Sequence, residues 1–208
     1  MIEFKPLALA NVGVLQFKIP HMVLAAINTE VDVIMKDFGA RTPMNANLAG
    51  NIQHEYTLES SRYQLEPFIM QCVDIYQQQH EIKTQDVTSG QVKLMLDAIW
   101  CNFQKAGEFN PNHTHGGILS FVIWVKVPFD LATEQRESPG AKGNKNNAGC
   151  FELLYNTTIG DVATCVLGVD RTWEGQMLLF PAKMTHCVYP FYTSKDYRIS
   201  VSGNISVG

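Results

Sequence analysis

Between Ile118 and Val127 only Ser120 and Lys126 are polar, and Pro128 closes the run. A β-branched and aromatic segment that is apolar at odd and even positions alike reads as a strand covered on both faces, as inside a sandwich. Directly before it stands Asn110-Pro-Asn-His-Thr-His-Gly-Gly, which places His113 and His115 two residues apart. In an extended segment residues i and i+2 point to the same face, so both imidazoles can aim at one point, as two ligands of one metal ion would. A third histidine, His186, follows another apolar run, Met177 to Phe180. Imidazole suits iron, zinc, copper and nickel alike, so the ligand type does not choose the metal.

The rest of the chain supplies helices first and strands afterwards. Ile2 to Phe4 and Val14 to Ile19 read as short strands, the second closed by Pro20. From His21 to Phe38, Val23, Ile27, Val31 and Ile34 recur at three- and four-residue steps, which predicts an amphipathic helix stopped at Gly39. Arg41 to Tyr56 is rich in Asn and Gly and reads as a surface loop. Ser60 or Ser61 can cap a second helix that runs through Leu65, Phe68, Ile69, Cys72, Val73 and Tyr76 to His80, with Pro67 tolerable in its first turn. His21, His54 and His80 fall outside ligand-like spacing and read as surface or structural.

From Val92 the period changes to two, and the pattern predicts a strand leading into Trp100, Cys101, Asn102 and Phe103. Residues 131 to 148 read as a long loop, either a lid over the site or disordered. Strands follow at Cys150 to Tyr155, Val162 to Val169, Gln176 to Phe180 and Arg198 to Ile205. The expected architecture is one domain, residues 1 to 208: a mostly helical support over 1 to 91 and a β core over 92 to 208. The fold class is mainly β with a helical buttress, an antiparallel jelly roll of the double-stranded β-helix or cupin-like kind.

On Arg198-Ile-Ser-Val-Ser202, alternation puts Arg198, Ser200 and Ser202 on one face. A guanidinium and a hydroxyl pointing into a barrel make a fork for a carboxylate, and a buried charge calls for an anion. The alternative is that Arg198 pairs with Asp196 or points to solvent.

Composition narrows the class. A net charge of −4 argues against a general nucleic-acid binder. No apolar run approaches the roughly 20 residues that cross a bilayer, so no membrane partner is expected. The first residues, Met-Ile-Glu-Phe-Lys-Pro, lack the layout of a secretory signal. Five scattered cysteines, Cys72, Cys101, Cys150, Cys165 and Cys187, form no C-x-x-C pair. They read as small hydrophobes in or near a core, in a reducing cytoplasm. Oligomeric state leaves no mark on the sequence.

The segments NPNHTHGGILSFVIWVKVP (Asn110–Pro128) and GQMLLFPAKMTHCVYPFYTSKDYRISVSGNI (Gly175–Ile205) carry a resemblance. They resemble the Fe(II)- and 2-oxoglutarate-dependent oxygenase superfamily, and within it a prolyl-hydroxylase-like branch found in bacteriophages and marine bacteria. The resemblance covers about half the chain. It implies a double-stranded β-helix that hydroxylates an unactivated C–H bond with Fe(II), 2-oxoglutarate and O2, on a peptidyl proline or another protein side chain. It also implies the cytoplasm of a bacterium or a phage-infected host. By it, His113 and His186 take the places of the first and distal iron ligands, and Arg198 with Ser200 that of the co-substrate carboxylate anchor. Trp100, Asn102, Trp124 and Tyr155 become candidates for lining the cavity, Trp100 and Asn102 beside the co-substrate.

One departure stands out: most of the superfamily carries a carboxylate where this chain has His115. Either three histidines hold the metal, or His115 lies behind the metal's own ligands and another residue or water completes the face. Two other functions fit the histidines alone: a zinc hydrolase or hydratase, in which metal-bound water attacks, and a metal-binding jelly roll without turnover.

Overall fold

In the computed structural model, residues 13–80 and 93–208 are described. The expected strand Ile2 to Phe4, the onset of a strand at Val92 and the 91/92 boundary lie outside them. Two antiparallel sheets make the body of the molecule. The larger has six strands, in the spatial order β1 (Leu15–Lys18), β8 (Gln176–Pro181), β5 (Leu119–Lys126), β10 (Arg198–Val207), β3 (Leu94–Gln104) and β2 (His54–Thr57). The smaller has four: β4 (Asn110–His113), β9 (Thr185–Val188), β6 (Phe151–Asn156) and β7 (Val162–Leu167). From β3 onward strands alternate between the sheets in chain order, save for the β6–β7 hairpin within the smaller sheet, which winds them into a double-stranded β-helix.

The outer face of the six-stranded sheet is covered by α1 (His21–Lys36) and α2 (Arg62–Gln79). Val23, Ile27, Val31 and Ile34 of α1, with Leu65, Ile69, Cys72, Val73 and Tyr76 of α2, pack there against Phe121, Ile123, Ile199 and Val201. The two-faced apolar run is explained by β5: Leu119, Phe121, Ile123 and Val125 meet the helices, while Val122 and Trp124 join Phe151, Leu153, Leu178 and Phe180 between the sheets. Each fully buried side chain of this size contributes about 1.5–3 kcal/mol.

Several boundaries differ from expectation for identifiable reasons. Ser61 precedes α2, but its hydroxyl donates to Glu30 Oε2 (2.6 Å) rather than capping the helix. Glu30, buried on α1, also accepts from the backbone N–H groups of Glu59, Ser60 and Ser61, so one helix supplies the cap of the other. Pro67 falls in the second turn of α2, not the first.

In β3 the helix-facing positions are Leu94 and Leu96, then Ile99, Cys101 and Phe103. The parity changes because a bulge adds one residue opposite Gly203–Ile205. The segment 131 to 148 is neither lid nor disordered chain. It holds α3 (Leu131–Glu137), whose buried Glu134 accepts from Tyr192 N, Thr193 N and Thr193 Oγ1, while Asn146 Nδ2 donates to Gln135 O and Ser138 Oγ. Cys72, Cys101, Cys150 and Cys187 are buried, whereas Cys165 is exposed on β7, the edge of the smaller sheet. Among the described residues no helix is long and apolar enough to cross a membrane.

Candidate metal centre and cavity

His113 ends β4 and His186 lies in β9, and the two are register partners in that ladder. His115 follows two residues after His113, and its backbone N–H donates to Ala182 O (2.8 Å). The turn beyond it needs Gly117, whose φ is +82° and whose missing Cβ would stand 2.5 Å from Ile205 O. Ring centroids are 5.2 Å apart for His113 and His115, 4.2 Å for His113 and His186, and 4.9 Å for His115 and His186. One donor atom from each ring lies within 4.8 Å of the others. The i, i+2 pair and the histidine that follows the Met177–Phe180 run thus form a single cluster.

Each ring is held by its other nitrogen. His113 Nδ1 lies 2.7 Å from Pro111 O and His186 Nδ1 lies 3.0 Å from Met184 O. A carbonyl only accepts, so both Nδ1 atoms carry the proton and both Nε2 atoms present a lone pair. His115 Nδ1 donates in the same way to Asn204 Oδ1 (3.0 Å), which also accepts from Ser120 Oγ (2.8 Å). Burial pushes all three imidazoles below their ordinary value, and the neighbouring rings add repulsion at His115 and His186; His115 falls to about 4 and His186 to about 3. Neutral rings with oriented Nε2 atoms and oxygen partners behind them are what a divalent metal requires. The residues therefore fit such an ion.

The cluster opens into a cavity of about 140 Å³ between the sheets. Trp100 and Asn102 line it as expected, and so do Ser200 and Ser202. Trp124 instead packs against Trp173 and Phe151 in the core, and Tyr155 is exposed on the smaller sheet; neither lines the cavity, because both lie on strand positions away from its wall. Glu55 and Gln104 were not anticipated. Glu55 sits on β2, in a segment whose polar composition reads as loop, and residues 47 to 49 and 52 of that segment also reach the cavity. Gln104 and Asn204 continue the inward alternation of Asn102 and Ser202, a signal the sequence does contain.

Arg198 points inward on the face shared with Ser200 and Ser202, not to solvent, and Asp196 pairs with Lys126 instead. The anion that its burial called for is replaced by neutral acceptors. Nε and Nη2 donate to Gln104 Oε1 (2.9 and 2.6 Å), Nη1 to Gly149 O (2.8 Å) and Nη2 to Tyr189 O (2.7 Å). Phe129 and Phe191 flank the guanidinium at 5.8 and 5.6 Å. Burial draws its pKa down to about 10, against the pull of Cys150 and Glu134. Gln104 lines the cavity and Arg198 does not, so the carboxamide stands between the charge and the cavity.

No curated protein matches the chain in sequence. Among solved structures, a prolyl-4-hydroxylase from Pseudomonas putida is similar at TM-score 0.54 and 14% identity, covering 95% of this chain and 94% of that one. A prolyl hydroxylase from Trichoplax adhaerens, in complex with a hypoxia inducible factor oxygen degradation domain peptide fragment, is similar at TM-score 0.52 and 10% identity over 93% and 82%. SnoN, a non-heme alpha-ketoglutarate dependent epimerase from nogalamycin biosynthesis, reaches TM-score 0.58 at 12% identity over 94% and 77%. These likenesses establish the shared fold. Residues 98–204, which hold the three histidines, Asn102, Gln104 and Arg198, match the family described as "Putative 2OG-Fe(II) oxygenase", and the chain belongs to that family of iron- and 2-oxoglutarate-dependent enzymes.

Proposed function

We propose that this oxygenase hydroxylates an aliphatic C–H bond in a peptide or protein side chain, with iron held by His113, His115 and His186. The observation that carries the reading is that one ring nitrogen of each histidine lies within 4.8 Å of the others, while each Nδ1 faces an oxygen acceptor. On this reading His115 takes the position where relatives place a carboxylate, and the metal has three neutral ligands. When bound, iron and 2-oxoglutarate would supply the oxidising power, so that the C–H bond and O2 would give an alcohol while the keto acid would give succinate and carbon dioxide.

The chain's own residues orient and enclose. Asn204 holds the His115 ring, and the apolar packing of Phe151 and Phe180 around His186 keeps water from that side. Arg198 with Ser200 anchors the distal carboxylate of 2-oxoglutarate, with Trp100 and Asn102 beside it. To reach Arg198 a carboxylate would have to displace the Gln104 carboxamide, exchanging a neutral acceptor for a charged one. A peptide substrate is supported by the peptide-bound prolyl hydroxylase that shares this fold.

The test is anaerobic titration with Fe(II) and then 2-oxoglutarate, followed by the weak visible charge-transfer band. A band that saturates at one equivalent, and succinate formation once oxygen is admitted, are expected. Full metal occupancy with no band and no succinate would remove the assignment.

A further inference from the structure

The wall of the cavity contributed by β2 and β3 carries two oxygen atoms that nothing among the described residues satisfies. Glu55 and Asn102 are register partners on those strands, so their side chains stand side by side on one face. Both are buried, at 3% and 5% exposure, and both line the cavity that holds the histidines. Glu55 Oε2 accepts from Asn45 Nδ2 (3.2 Å), and Asn102 Nδ2 donates toward Ser200 Oγ (3.2 Å) and Ser202 Oγ (3.4 Å). Glu55 Oε1 and Asn102 Oδ1 have no donor among the described residues.

A buried acceptor without a donor is costly, and a buried carboxylate more so. Two such acceptors side by side are complementary to a group with several N–H bonds diverging from one centre. Burial, and secondarily repulsion from Glu108, disfavour the charged form of Glu55, a cost that a cation in the cavity would relieve. The indole of Trp100, also on the wall, gives an aliphatic stem or a cation an apolar face. A prolyl ring within a peptide has no N–H to offer here.

We infer that the primary substrate enters with a protonated nitrogen, an ammonium or guanidinium group, seated between Glu55 Oε1 and Asn102 Oδ1. Its attached aliphatic chain then presents a C–H bond to the histidine cluster. This inference rests on the oxygenase reading above and specifies a protonated nitrogen on an aliphatic stem, carried either by a lysine- or arginine-like side chain or by the corresponding free amine.

The experiment is calorimetric titration of zinc-substituted, 2-oxoglutarate-loaded protein, which binds without turning over. The probes are short peptides centred on Lys, Arg, norleucine or Pro, together with free L-lysine, L-arginine and agmatine. Lys or Arg probes should bind at least about tenfold tighter than the neutral norleucine peptide. Glu55→Gln should abolish that preference while leaving the Fe(II)–2-oxoglutarate band of the iron-loaded protein intact. A preference for peptides or for free amines tells the two sources apart. Equal binding of charged and neutral probes, no binding of any, or a preference that survives Glu55→Gln would overturn the inference with the band still present. Loss of the band in the parent protein would instead remove the oxygenase reading. Thermal melting of Glu55→Gln keeps a folding defect from being taken for a lost contact.

Discussion

His113 and His186 face each other as register partners of the β4–β9 ladder, with ring centroids 4.2 Å apart. Two of the three proposed ligands are therefore set by backbone pairing, whereas His115 is oriented by a side chain, Asn204. A strand ladder is a stiff support, and such placement favours a preformed metal site over one assembled on binding.

This arrangement separates the proposed ligands from the residue that orients one of them. His186→Ala should abolish stoichiometric iron binding. Asn204→Ala should keep the fold and weaken Fe(II) binding by about 10- to 100-fold, the usual cost of losing a hydrogen bond behind a ligating histidine. Competition against a colorimetric chelator measures both. Unchanged affinity in Asn204→Ala would mean that His115 is not a ligand.

Arg198→Lys retains the charge but loses the planar fork. Affinity for 2-oxoglutarate should fall at least about tenfold while iron binding is unchanged, read from the charge-transfer titration. Lysine is preferred here over alanine, since truncation would strand Gly149 O, Tyr189 O and Gln104 Oε1 in the interior. Parent-like affinity in the lysine variant would detach the co-substrate from this guanidinium.

Burial, with repulsion from Glu108, raises the Glu55 carboxyl from an ordinary 4.5 to about 7. Below pH 4.5 the folded and unfolded chains both carry the proton, and Glu55 has no effect on the balance. As pH rises from 4.5 to 7 the unfolded chain gives up its proton first, so stability is lost progressively, by roughly 3 kcal/mol once above 7. Glu55→Gln should therefore be more stable than the parent at pH 8 and indistinguishable from it near pH 4. Urea midpoints at the two pH values check this.

Glu30 has the opposite sign. Burial alone would raise its pKa, but the Ser61 hydroxyl and three backbone N–H groups outweigh burial and hold it below 4.5. Its stabilisation is present above the unfolded value of 4.5 and disappears as pH falls through the lower folded value. Glu30→Gln should cost about 1–3 kcal/mol at neutral pH, from weakened caps at the start of α2. Parent and variant should converge in acid, which denaturant unfolding would reveal.

What the sequence determined was whatever depends on local periodicity and spacing. The three- and four-residue steps of Val23, Ile27, Val31 and Ile34 defined α1, and the two-sided apolarity of β5 required cover on both faces. The i, i+2 spacing of His113 and His115 and the inward parity of Arg198, Ser200 and Ser202 were equally local. Tertiary structure alone decided the bulge that reverses parity within β3, because an inserted residue leaves no mark on composition. It also decided the neutral acceptors that receive Arg198, and the recruitment of a polar, loop-like segment as β2. Edge strands gain their hydrogen bonds from a neighbour rather than from their own sequence, so Glu55 became visible as part of the cavity only once β3 stood beside it.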